Sequence, residues 1–122
     1  MSTKHTVFDS RHLPRALELD DWEVLEDFYI TFLQQLEEFL QLVDSAVSPM
    51  GLEEQRHHAH KLGSSCRTVG ATALASLLEK LEELCRSAAD ADMRSKLLTE
   101  IAGLGANTRD QVASHLSAAG GD

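Results

Sequence analysis

The feature that most limits how this chain can fold is a set of apolar residues, Leu25, Phe28, Tyr29, Phe32, Leu36, Phe39, Leu40 and Val43, spaced by threes, fours and ones. Those steps keep side chains on one face of a helix that turns about 100° per residue. Acids and glutamines fill the opposite face, so the stretch reads as an amphipathic helix with one side against a core. Asp20 and Asp21 are good N-cap residue types and Ser48-Pro49 is a stop, which predicts a helix from there to about Ala46. Beyond a Ser-Pro-Met-Gly turn, a second helix is expected from about Leu52 to Val69, ended by Gly70.

Two further stripes follow. Leu74, Leu77, Leu78, Leu81 and Leu84 predict a helix from Ala71 to about Ser87. Met93, Leu97, Ile101, Leu104, Val112 and Leu116 predict another from about Asp92 to Leu116. Gly103 and Gly105 interrupt that last stripe, and each costs about 1 kcal/mol relative to alanine inside a helix, so a kink or break is expected between Gly103 and Asn107. Ahead of all these, Asp9 or Ser10 is placed to cap a short helix through about Leu19, with Pro14 tolerated near its first turn.

No run alternates as a strand would, and abundant Leu, Ala and Glu with only two prolines point the same way. The expected fold is therefore all-α: an antiparallel up-and-down four-helix bundle with a short additional N-terminal helix. A chain of 122 residues makes one such domain, expected over 9–117, with flexible ends at 1–8 and 118–122. The formal charge of −9, with 11 Lys and Arg scattered among 20 acids, argues against nucleic acid. No apolar run approaches the roughly 20 residues a membrane span requires, and the first residues lack a signal core. A cytoplasmic monomer without membrane contact is the expectation. Cys66 and Cys85 are too few for a disulfide framework and read as reduced core residues.

One stretch looks built for chemistry: Ala59-His60-Lys61-Leu62-Gly63-Ser64-Ser65-Cys66-Arg67-Thr68-Val69-Gly70-Ala71. On a helix, His60, Gly63, Ser64 and Arg67 fall within about 60° of one direction, while Ala59, Leu62, Cys66 and Val69 point away. The first face is a histidine in a clearing of small residues; the second is a core stripe. A neutral imidazole nitrogen is a good nucleophile near pH 7. Arg56, Lys61 and Arg67, on or beside the same face, are placed to balance an attached phosphoryl group. With the turn at Gly70, a residue ten before it lies level with one ten to twelve after it, which sets Glu82, with Glu79 below, opposite His60. A carboxylate there, accepting a hydrogen bond from Nδ1–H, would fix the tautomer and leave Nε2 free to attack.

These residues resemble the histidine-containing phosphotransfer (HPt) domains of bacterial multistep phosphorelays. The family has a His, a Leu two on, a Lys three on, a Gly four on, then small residues and a further Gly ten on. Here His60, Leu62, the Ser64-Ser65-Cys66 run and Gly70 match, and Leu74 and Leu81-Glu82 match downstream, Glu82 standing where the family places a Gln or Glu near the histidine. The resemblance covers roughly residues 8 to 87. Gly63 stands in the place of the usual Lys, and Ser64 in that of the usual Gly; Lys61 and Arg67 are the candidates to supply the missing charge.

The resemblance implies a phosphoryl carrier without kinase activity of its own, passing the group between His60 Nε2 and a receiver-domain aspartate in two-component signalling. The partners it implies are a response-regulator receiver domain and a hybrid sensor histidine kinase. Mg²⁺ would belong to the receiver, and no cofactor is expected on this chain. The absent lysine motivates a rival reading, a phosphorylation-incompetent bundle that binds a receiver or another protein. A third, metal binding through Glu54-x-x-His57 and the His57/His60 spacing, lacks the second Glu-x-x-His that a di-iron bundle needs.

Overall fold

The computed structural model describes residues 6–44, 51–87 and 90–120. These residues form five helices: α1 (His12–Leu17), α2 (Trp22–Asp44), α3 (Leu52–Val69), α4 (Thr72–Arg86) and α5 (Ala91–Gly120). No strand occurs among the described residues. The four long helices pack as a ring, α2 on α3, α3 on α4, α4 on α5 and α5 back on α2, and α1 lies against α3. This is the expected all-α bundle with a short N-terminal helix.

The stripes read from the sequence form its core. Tyr29, Phe32 and Leu36 of α2 meet Ala59, Leu62, Cys66 and Val69 of α3, Leu74, Leu78 and Leu81 of α4, and Ile101 and Val112 of α5, all buried. At about 1.5–3 kcal/mol for each large side chain taken from water, this shared interior is what holds the helices at fixed register. Phe28 departs from the stripe. It sits on the shoulder of α2 and is 39% exposed.

The ends of α2 and α3 follow the capping chemistry, whereas α1 begins at His12 after Arg11 with no side-chain cap, not after Asp9 or Ser10 as expected. Asp21 Oδ1 accepts the Glu23 N–H at 3.1 Å, opening α2 as its residue type predicts. Gly51 N–H donates to Glu54 Oε1 at the start of α3. The expected end of α2 at Ala46 and the Ser48-Pro49 stop lie outside the described residues. Gly70 closes α3 at φ 93°, a left-handed conformation that glycine adopts without the steric cost of a side chain. Its position is also crowded: an added Cβ would lie 2.7 Å from Asp9 O and from the His12 Cβ.

Three expectations need correction. Residues 6–8, expected to be loose, are tied to the α3–α4 turn: Ala73 N–H donates to Thr6 O at 2.9 Å, and Asp9 N–H donates to Gly70 O at 3.0 Å. Phe8 packs edge-on against Tyr29, with ring centroids 5.7 Å apart, and so helps close that end of the bundle. The expected break between Gly103 and Asn107 does not occur; α5 runs unbroken and continues past Leu116 to Gly120, into the segment expected to be flexible. The reason lies at Gly105, which is buried where α5 approaches α2. A Cβ there would lie 3.0 Å from Leu40 Cδ2 and 3.4 Å from Leu36 Cδ1, so the glycine permits close helix packing that offsets its poor propensity. Nothing in the structure explains Gly103.

Candidate functional site

The two-residue connection through Gly70 and Ala71 folds α4 back along α3, and the register set there carries ten residues up one helix and twelve up the other. His60 Nδ1 and Glu82 Oε1 consequently stand 3.0 Å apart, within hydrogen-bond distance across the helix pair. The two side chains differ sharply in exposure: 64% for His60 and 10% for Glu82. The ring is thus anchored from below by a carboxylate and open above. A carboxylate so placed accepts from Nδ1–H, which leaves the Nε2 lone pair facing outward.

The floor of the site is the α3–α4 interface. Leu62, Leu78 and Leu81 are buried beneath it, fixing the backbone from which both side chains project. A shallow cavity beside His60 is lined by Arg67 of α3 and by Ser76, Glu79, Lys80, Glu82, Glu83 and Arg86 of α4. Residues 76, 79, 80 and 83 recur at helical spacing on one face of α4; Glu79 was expected there below Glu82, and Ser76, Lys80 and Glu83 join it. Arg86 Nη1 pairs with Glu83 Oε1 at 2.7 Å, so those two charges compensate each other at the cavity's edge.

The remaining candidates are distributed unevenly. Ser64 is exposed on the same side of α3 as His60, and Arg67 reaches the cavity. Lys61 is exposed but does not line it. Arg56, one turn before His60, is bonded to Glu53; that bond raises the arginine above its usual pKa and holds Glu53 below the usual carboxylate range. Gly63 is the clear departure. It was expected to open outward, yet it is buried on the α4 side, with Leu78 Cβ 3.8 Å and Arg67 Nη1 3.7 Å from where its own Cβ would be. The clearing beside His60 is therefore roofed by an arginine on one flank.

On the other flank a groove of about 380 Å³ runs between α2 and α3, lined by Phe28, Phe32, Thr31 and Gln35 with Ser64, Ser65 and Thr68. Ser65 Oγ donates to Gln35 Oε1 across it. Most of the groove's wall is apolar, and Phe28 supplies an exposed aromatic face. The α2 residues at 24, 28, 31 and 35 form a second stripe beside the core stripe, hidden in the sequence because Phe28 satisfies both patterns.

His57 and His58 stack edge-to-face with ring centroids 5.8 Å apart. Among the described residues, no group of three or more His, Cys, Asp and Glu is arranged to hold a metal ion. Burial pushes the Cys66 thiol up to about 12 and also raises Cys85, which fits the expectation of core thiols. No helix among the described residues is long and apolar enough to cross a membrane.

Neither a curated protein nor a solved structure matches the chain. The family model for the Hpt domain matches residues 27–118, a span that takes in most of α2 and all of α3 and α4. With an exposed histidine one helical face away from the core, a carboxylate behind it and a four-helix ring beneath, the chain belongs to the Hpt domain family, the phosphotransfer carriers of phosphorelays.

Proposed function

We propose that His60 is the phosphoryl acceptor of this domain, exchanging the group with the aspartate of a receiver domain, and that Glu82 orients its ring. The observation that carries the reading is the 3.0 Å contact between Nδ1 and Glu82 Oε1 on a ring that is otherwise open to solvent. In the transfer step the Nε2 lone pair forms a bond to phosphorus. The P–O bond of the aspartyl phosphate breaks, and its electron pair leaves on the receiver's carboxylate. No proton needs to depart: Nδ1–H stays on the ring, the phosphorylated imidazole carries a positive charge, and the Glu82 carboxylate faces it. The reverse reaction retraces these steps, which suits a carrier.

The groove beside His60 supports a docking role for α2 and α3. A receiver seated over Phe28, Thr31 and Ser64 would bring its aspartate down onto Nε2, and the small side chains of Ser64 and Ser65 leave room for it. In this reading the receiver brings the Mg²⁺, a hybrid sensor kinase is the upstream source of phosphate, and the carrier works as a monomer in the cytoplasm. The chain itself contributes nucleophile, orientation and charge balance, and no kinase chemistry.

Incubation with a phosphorylated receiver domain tests the proposal. The chain should become labelled in an acid-labile, alkali-stable form, and His60→Gln should abolish the label while leaving the helical content unchanged. Equal labelling of His60→Gln would refute it. Receiver binding without any phosphohistidine would select the rival reading of a binding module, which the glycine at position 63 motivates.

A further inference from the structure

We infer that Arg67 supplies the cation that balances the phosphoryl group on His60, its guanidinium lying across Gly63. The inference rests on the reading of His60 as the acceptor and adds the group that neutralises its product. Arg67 is two turns beyond His60, too far for neighbouring side chains to meet directly. Long helical side chains lean back toward the helix N-terminus, however, and this one does so. Its Nη1 and Nη2 lie 3.7 and 3.9 Å from the Cβ position of Gly63, one turn closer to the histidine. Residues three apart on a helix have Cβ atoms about 5–6 Å from each other, so the guanidinium occupies the space of the immediate neighbour of His60.

Charge in the cavity points the same way. Glu79, Glu82 and Glu83 line it, and a phosphoryl group adds further negative charge to that set. Arg86 is already paired with Glu83, and Arg56 with Glu53. Arg67 makes no ion pair among the described residues; its Nη2 donates a long, 3.5 Å bond to Ser64 Oγ, which leaves its other donors uncommitted. Lys80, the remaining cation of the cavity, is an exposed point charge on a flexible stem, whereas a planar guanidinium fork can donate two parallel bonds to a phosphoryl group.

The test is the equilibrium of phosphoryl transfer with a phosphorylated receiver domain, read by gel separation of the two phosphoproteins, together with the ³¹P shift of the phosphohistidine. Arg67→Gln should move the equilibrium about tenfold toward the receiver, the scale of one charge-assisted hydrogen bond, and should shift the ³¹P resonance. Arg67→Lys should retain part of the balance. Adding Gly63→Lys to Arg67→Gln should restore much of it, since position 63 has ordinary contact distances around its Cβ and lies next to the histidine. Circular dichroism and urea melts confirm that each variant is folded; if Arg67→Gln is not, the Arg67→Lys equilibrium and ³¹P shift decide. An unchanged equilibrium and ³¹P shift in folded Arg67→Gln overturns the inference, as does a loss seen with Lys80→Gln and not with Arg67→Gln. Failure of the wild-type chain to load at all overturns the acceptor reading instead, and the inference with it.

Discussion

Replacing Glu82 separates the chemistry of the site from the stability of the fold. The Glu82 side chain is 10% exposed, shares α4 with the buried Leu78 and Leu81, and is hydrogen-bonded to the His60 ring. During transfer that ring becomes positively charged, so the bond turns into a charge-assisted pair worth about 1.5–3 kcal/mol, against about 0.5–1.5 kcal/mol for a neutral one. The histidine is 64% exposed, which puts both figures near their lower ends. Glu82→Gln keeps an oxygen acceptor of the same shape and loses the charge, a difference of about 1 kcal/mol, or roughly fivefold in the transfer rate. Glu82→Leu removes the acceptor as well and should slow transfer about tenfold or more. Stability should move the other way: a buried carboxylate exchanged for an apolar side chain of similar volume is neutral or stabilising, so the urea midpoint of Glu82→Leu should match or exceed wild type. Rapid-quench single-turnover transfer gives the rates, and the fluorescence of Trp22, the one tryptophan of the chain, gives the melts. Transfer by folded Glu82→Leu within twofold of wild type would refute the orienting role. A Leu variant that is both slow and several kcal/mol less stable would refute the separation.

Three other perturbations have outcomes set by the structure. Gly70→Ala forces a side chain into a φ of 93° and 2.7 Å from Asp9 O, which together with disruption of the Asp9–Gly70 hydrogen bond should cost about 3 kcal/mol and lower the melting temperature by about 10 °C in a calorimeter. Phe28→Ser should weaken receiver binding about tenfold in a calorimetric titration while leaving the His60–Glu82 contact intact, since Phe28 lines the groove and is 39% exposed. Alkaline pH should unfold the protein through its buried thiol. Cys66 is pushed up to about 12 in the fold, so above about pH 9 the unfolded chain ionises it and the folded chain does not. Stability should therefore hold below pH 9 and fall by about 1.4 kcal/mol per pH unit from this group between pH 9 and 12, with Tyr29, also raised by burial, adding to the loss; Cys66→Ala should flatten the first part of that decline.

Much of the architecture is legible because each helix carries its own period. The α3 boundaries can be read from Gly51-Leu52 and Val69-Gly70, because a capping glycine and a left-handed one bracket a continuous core stripe. Glu82 can be placed opposite His60 by counting rise from a tight turn, because two helices joined by two residues have little freedom in register. The unbroken α5 was not legible. Propensity counts Gly105 as a cost, and the compensation, Leu36 and Leu40 of α2 pressed against it, depends on a contact between residues far apart in sequence. The tether of residues 6–9 escaped for the same reason: its partners are the Gly70 carbonyl, the Ala73 amide and the Thr72 hydroxyl, none of which has a local sequence signature.

Gly63 shows where a helical wheel stops being informative. Taking His60 as the reference direction, Gly63 lies about 60° to one side and Ser64 about 40° to the other. The angles alone make the pair look like one open clearing. Which of two such positions is buried depends on which side the neighbouring helix occupies, and α4 takes the Gly63 side because Gly70 folds it there. Ser64, Ser65 and Thr68 face α2 and line the groove instead. The small residues therefore face two neighbours at once: Arg67 lies back over Gly63 toward the histidine on the α4 side, and the serines line the α2 side. A substitution at 63 should thus alter charge and packing next to His60, and one at 64 should alter access to the groove. Gly63→Ala and Ser64→Leu separate them: the first should leave receiver affinity intact, and the second should weaken it without disturbing the His60–Glu82 pair.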